Sequence, residues 1–89
     1  MKAVLFISPL CEHAKSTSRT FKKVMSEKSF PHDVVNQNNE EGSLYSQCYG
    51  IKETPALLFI REDGTVAEEI HRKSFYGHDF AALLKKYKK

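Results

Sequence analysis

No apolar stretch in the chain approaches the roughly 20 residues that a membrane-spanning helix requires. Only two cysteines are present, Cys11 and Cys48, and they stand 37 positions apart. That is too few for the disulfide framework of a small secreted domain. The four histidines, His13, His32, His71 and His78, include no i, i+4 pair and have no C-x-x-C partner. A zinc site is therefore not expected. No low-complexity tract, internal repeat or linker interrupts the 89 residues, which are read as one domain, 1–89. The formal charge of +3 is mild, and much of it lies in the terminal "KKYKK", where cations complement the negative end of a helix dipole. Without a stripe of interleaved Arg and aromatics, nucleic acid is not an expected partner. The start "MKAVLFISPLC" faintly suggests a leader, but its apolar run, Ala3 to Ile7, is shorter than the usual h-region of about 7–15 residues. Cleavage near Cys11 would also remove the best strand. The expectation is a cytoplasmic monomer without a membrane partner.

With 40% hydrophobic and 11% aromatic residues, the chain has the composition of a folded protein. "AVLFI" (Ala3 to Ile7) is apolar without alternation and predicts a central strand covered on both faces. From Glu12 to Lys28, Ala14, Phe21, Val24 and Met25 recur at helical spacing among Lys and Arg, predicting an amphipathic helix closed by Pro31. "HDVVN" (His32 to Asn36) reads as a short strand and "NQNNEEGS" as a polar turn. Leu44 to Tyr49 reads as a short helix stopped by Gly50. "ALLFI" (Ala56 to Ile60) is a second buried strand, and the "REDG" turn returns the chain through Thr65 to Ile70, a more polar edge strand. A last helix runs from Phe75 to Tyr87, with Phe80, Leu83, Leu84 and Tyr87 on one face. The order is β-α-β-α-β-β-α. A right-handed crossover followed by a hairpin predicts an α/β fold with a mixed four-stranded sheet and helices on both faces.

Cys11 follows the first strand and precedes the first helix. As a core residue it would be a small hydrophobe. At a strand-to-helix junction on the carboxyl edge of a sheet, however, it stands where α/β proteins place ligands. A thiol at a helix N-terminus meets unpaired backbone N–H groups and the positive dipole end, which favour the thiolate. Lys15, one turn on, pushes the same way, as does His13 when protonated, while Glu12 opposes. Thr54-Pro55 by itself signals only the start of a strand.

"AVLFISPLCEHAKS", "YGIKETPALLFI" and "DGTV" before a last helix together resemble the thioredoxin and glutaredoxin superfamily, over nearly the whole chain. The segment Tyr49 to Ile60 is the tightest match. The leading strand and helix of full thioredoxins are absent, as in the smaller glutaredoxin-like members. The resemblance implies a thioredoxin-like fold and a thiol–disulfide oxidoreductase with Cys11 as the nucleophile. It implies that Pro55 is cis beside Cys11, and that Thr54 presents its backbone to an incoming peptide or glutathione. Leu10 stands where thioredoxins carry a substrate-contacting Trp, and Leu5 where they carry a buried Asp. Ala14 stands where dithiol members carry the second, resolving cysteine. "C-E-H-A-K" thus reads as a C-x-x-C motif lacking one sulfur, either an engineered substitution or a natural monothiol centre. "FYGHDF" (Phe75 to Phe80) matches the glutathione-binding turn of glutaredoxins only at Gly77 and Asp79. The C-G-F-S signature of cluster-binding monothiol glutaredoxins is not present. The family fold would turn Cys48 away from Cys11, leaving it an ordinary cysteine. The implied partners are a disulfide-containing protein and an electron donor, either thioredoxin-reductase-like or glutathione. No cofactor is implied beyond glutathione as a co-substrate. The rival readings are a glutathione-dependent monothiol enzyme and a redox-inactive binding module.

Overall fold

The computed structural model describes residues 1–8, 14–36, 44, 47–51, 55–71 and 75–87. Two apolar strands organise it. β1 (Lys2–Ile7) and β3 (Ala56–Ile60) lie side by side at the centre of a four-stranded sheet, flanked by β2 (His32–Asn36) and β4 (Val66–His71) in the order β2-β1-β3-β4. β1 is parallel to β2, and the other two pairings are antiparallel. This is the expected crossover followed by a hairpin, with the more polar β4 at an edge.

The absence of alternation in "AVLFI" and "ALLFI" is explained by cover on both faces. Ala3, Leu5, Leu57 and Phe59 point to one side, where they pack with Phe21 and Met25 of helix α1 (Ala14–Glu27) and with Phe80 and Leu84 of the final helix. Val4, Phe6, Ala56, Leu58 and Ile60 point to the other side, with Ile51 and Tyr49 against them. Residues 44 and 47–49 are helical, and this part of the chain is labelled α2. The Tyr49 ring meets Phe6 edge-on at 6.3 Å. Phe6, Phe21, Phe59 and Phe80 are fully buried, each contributing about 1.5–3 kcal/mol of transfer free energy. Among the described residues no helix is long and apolar enough to cross a membrane.

The helix boundaries differ from the sequence expectation for local reasons. α1 ends one residue before the expected Lys28, and Pro31 is not what closes it. It ends at Glu27 because Ser29 turns into the left-handed region, φ 52°. The Phe30 N–H then donates to the Met25 carbonyl (2.9 Å) and the Ser29 N–H to the Ser26 carbonyl (3.1 Å). This bond pair is a Schellman closure, with Phe30 and Met25 buried in the same cluster as its hydrophobic contact. Pro31 has a different task, since its carbonyl accepts the Ala3 N–H at 3.0 Å and starts the sheet. The last helix, α3 (Gly77–Tyr87), begins two residues later than expected. Asp79 accepts the Tyr76 N–H at 2.8 Å, while the Phe75 and Phe80 rings stack at 5.4 Å across the helix start. These are one arm of a capping box and the hydrophobic staple of a helix N-terminus.

Two polar devices secure the hairpin and its cover. In the β3–β4 turn, Asp63 accepts both the Thr65 hydroxyl (2.6 Å) and the Thr65 N–H (2.9 Å), which holds its carboxyl below the usual range. Gly64 takes φ 89° there, a conformation that strains any other residue. At the end of α3, the Tyr87 hydroxyl donates to the Glu68 carboxylate, and Lys86 Nζ reaches the same group at 3.2 Å. Tyr87 also stacks on Phe59 at 4.4 Å. Partial burial and the Glu68 carboxylate push the Tyr87 phenol up to about 12. The Tyr87 hydrogen bond, with Lys86 adding to it, lowers the Glu68 pKa.

Two outcomes follow from these contacts. Ser29→Gly removes the Cβ penalty of the left-handed position and should raise unfolding free energy by about 1 kcal/mol in a denaturant titration. Tyr87→Phe keeps the stacked ring but deletes the donor, and should lower stability by about 1 kcal/mol at neutral pH. Because the folded phenol titrates near 12 rather than 10.0, the unfolded chain loses that proton first. Tyr87's contribution is therefore whole below pH 10 and lost between 10 and 12, so the gap between wild type and Tyr87→Phe closes over that interval. Glu68 behaves oppositely, losing its share as pH falls through its depressed folded pKa.

Candidate active site

The register brings four strand ends to one edge of the sheet. Asn36 pairs with Ile7 at the end of β2 and β1, Ala56 pairs with Phe6, and His71 pairs with Ala56. Both long helices begin at this edge. Pro31, just past the end of α1, bonds to Ala3 at the far end of β1, so α1 runs back along the sheet from a start near Ile7. The last turn of α3 is tied to Glu68, inward from His71 along β4, so its start also lies at the Ile7–His71 edge. Gly77 opens α3 against Thr20 of α1, where an added Cβ would lie 3.6 Å from the Thr20 methyl.

Of the two helix N-termini at this edge, that of α3 is met by Asp79 in its own first turn, while that of α1 brings its positive dipole end to the rim. α1 has no acidic residue in its first turn to neutralise its dipole, and Lys15 there is exposed. An anion, including a thiolate, is favoured at such a position. Around the rim, His71 lies 3.4 Å from Glu69 and His78 lies 3.5 Å from Asp79. The exposed Tyr76 ring lies parallel to His78 at 5.8 Å.

The sequence-derived site residues fall on both sides of the described boundary. Leu10, Cys11, His13 and Thr54 lie outside the described residues. Ser8 is buried at the end of β1 and Ala14 is the first residue of α1, so the five residues between Ser8 and α1 carry Cys11. Pro55 is buried and immediately precedes β3. It stands next to Ala56, whose partner Phe6 lies at the end of β1. The chain segments bearing Cys11 and Thr54-Pro55 are thereby attached to neighbouring ends of adjacent strands. Cys48 is a free, exposed thiol in α2. Asp79, the partial match to a glutathione-binding turn, uses its carboxylate to cap α3.

His71, Tyr76 and His78 were not singled out from sequence as neighbours of the site. The signal was present: an antiparallel β3–β4 hairpin must return its last residue to the end where β3 begins. Among the described residues, the displaced pKa values of Asp63, Glu68 and Tyr87 belong to the turn and the helix clamp. Among the described residues no cluster of His, Cys, Asp or Glu could hold a metal ion.

No protein-family model and no curated protein sequence matches the chain. Solved structures do. Thioredoxin 1 from Thermosipho africanus superposes with a TM-score of 0.79 at 14% identity, over 98% of this chain and 93% of that one. The fold is that of thioredoxin. Thioredoxin f2 from Chlamydomonas reinhardtii gives 0.78 at 18% identity, over 97% of this chain and 77% of its own. A chain from the crystal structure of ferredoxin:thioredoxin reductase with thioredoxin f2 gives 0.75 at 14% identity, over 99% and 79%. At such identities the thioredoxin likeness describes backbone architecture.

Proposed function

We propose that the chain is a thiol–disulfide oxidoreductase whose nucleophile is Cys11. The observation that carries this reading is the thioredoxin-like frame itself, with a cysteine in the short connection between the end of β1 and the start of α1. The helix end, Lys15 and, when protonated, His13 favour the Cys11 thiolate. That thiolate attacks one sulfur of a substrate disulfide. The substrate S–S bond breaks, a Cys11–substrate S–S bond forms, and the departing sulfur leaves with the electron pair and takes a proton from solvent. Leu10 contacts the substrate, and Thr54 with Pro55 docks its extended backbone by main-chain hydrogen bonds. Pro55 is cis in this reading, and with no N–H of its own it leaves no donor unpaired beside the sulfur.

Ala14 stands where a second thiol would resolve the mixed disulfide. In its absence an outside thiol attacks the Cys11 sulfur of the mixed disulfide, and the reduced substrate leaves as its thiolate, taking a proton from solvent. A second outside thiol then displaces Cys11, regenerating its thiolate and forming the donor's own disulfide. Glutathione or a reductase of the thioredoxin-reductase kind would serve. The solved complex of ferredoxin:thioredoxin reductase with thioredoxin f2 supports a reductase as the donor class.

The deciding experiment is alkylation of the two thiols across pH, with mass spectrometry to assign the site. Cys11 should alkylate with an apparent pKa in the range of about 3.5–7.5, below that of Cys48. Equal apparent pKa values, or a slower Cys11 at neutral pH, would remove the nucleophile assignment. Ala14→Cys should convert a long-lived mixed disulfide into fast release with an intramolecular bond, visible by trapping at successive times. A mixed disulfide that persists equally in this variant would mean that Cys11 works alone by design.

A further inference from the structure

α1 is charged against its own dipole. α3 carries Asp79 in its first turn and Lys85 and Lys86 in its last, the arrangement that the macrodipole favours. α1 has no acid in its first turn and no base in its last. Lys15 occupies the first turn instead, and Glu27 is the final residue. Lys15, Arg19, Lys22 and Lys23 are all exposed. Their spacing places them within an arc of about 100°, on the side opposite Thr17, Phe21 and Met25, which are buried. They form a row roughly 12 Å long. Among the described residues, none of the four makes an ion pair or a side-chain hydrogen bond. Four cations and one anion give α1 a charge of +3, as large as the formal net charge of the whole chain. Like charges one turn apart repel and a cation at a helix N-terminus is unfavourable, so this row weakens the helix that carries it. The same chain obeys both rules in α3. A merely solvated face has no need of such an arrangement, whereas a partner that brings the complementary carboxylates would relieve it.

We propose that this face of α1 is a docking surface for a protein whose reactive disulfide is flanked by Asp and Glu. The inference rests on the reading of Cys11 as nucleophile, because the row begins four residues past Cys11 and extends away from it along the helix. An acidic protein surface laid on Arg19, Lys22 and Lys23 would hold its disulfide at the α1 end of the sheet edge. Nucleic acid is the less suitable occupant, since the row interleaves no exposed aromatic with its cations and Glu27 follows it on the same helix.

The test uses the full chain carrying Cys48→Ser, and short peptides with one cysteine activated as a thiopyridyl disulfide and flanked by glutamates, serines or lysines. Cys11 attacks the peptide sulfur, the peptide–pyridyl S–S bond breaks, and the electron pair leaves as thiopyridone, whose absorbance reports the rate. At low ionic strength the glutamate peptide should be captured about tenfold faster than the lysine peptide. The difference should vanish near 1 M salt, where the screening length falls to about 3 Å. Reversing the row with Arg19→Glu, Lys22→Glu and Lys23→Glu should invert the preference, while the rate with neutral dithiodipyridine stays unchanged. Should that triple variant not fold, Arg19→Gln, Lys22→Gln and Lys23→Gln keep helix-forming side chains and should abolish the preference. Equal capture of both peptides by a Cys11 that reacts with dithiodipyridine overturns the docking surface and leaves the oxidoreductase reading standing. A Cys11 that does not react with dithiodipyridine defeats the oxidoreductase reading, and the docking surface with it. Inhibition of capture by a single-stranded 20-nucleotide DNA at lower concentration than by polyglutamate, at equal charge, assigns the face to nucleic acid and overturns the proposal.

Discussion

Everything in this molecule hangs on the need to cover two neighbouring apolar strands on both sides. β1 and β3 bury every residue from Ala3 to Phe6 and from Ala56 to Ile60. Neither strand can therefore stand at an edge or leave one face to water. The outer places in the sheet fall to the more polar β2 and β4, and the helices must divide between the two faces. α1 and α3 share one side, where Phe21 and Phe80 meet at 5.2 Å, while Tyr49 contributes to the other. Once β1 is central and α1 must return across it, the β1–α1 junction is forced to the sheet edge where Pro55 begins β3. The candidate site is a by-product of that cover.

Much of this was legible in the chain. Unbroken apolar runs identified β1 and β3, the Asp63-Gly64 turn identified the hairpin, and the polar character of β4 placed it at an edge. Helix ends were less legible, because they depend on which residue bears a backbone conformation. Pro31 looked like the stop of α1, yet Ser29 closes the helix in a conformation usually given to glycine or asparagine, and the Pro31 carbonyl serves the sheet. At the start of α3, Phe75 belonged to the apolar pattern but lies outside the helix, stapled to Phe80 while Asp79 caps the turn. Apolar spacing reports which side chains are buried. It does not report where the hydrogen-bond ladder begins. The gathering of His71, Tyr76 and His78 beside the site edge required strand pairing, which no local stretch reveals.

The two long helices meet the same edge with opposite electrostatic habits. α3 neutralises its N-terminus with Asp79, which the Tyr76 N–H and His78 both approach. α1 has no acid in its own first turn and carries Lys15 there. In a frame where both helices point their positive ends toward one rim, the first turn of α1 favours a negative charge more than that of α3. Cys11 stands three residues before Ala14, where α1 begins. The contrast ties the charge pattern of one helix face to the chemistry expected at its end.

The clamp of Tyr87 and Lys86 on Glu68 has a kinetic side as well. β4 is an outer strand with one neighbour, and α3 is the last helix, so each alone would be a natural place for the native state to fray. Joined through Glu68 and through the stacking of Tyr87 on Phe59, they cannot loosen separately. Opening the edge strand breaks the helix's terminal contacts, and unwinding the helix's last turn strips the strand of its polar anchor. The backbone amides of β4 and of the end of α3 thus belong to one cooperative unit of hydrogen exchange, opening together, while those of β1 and β3 stay protected until the whole sheet comes apart.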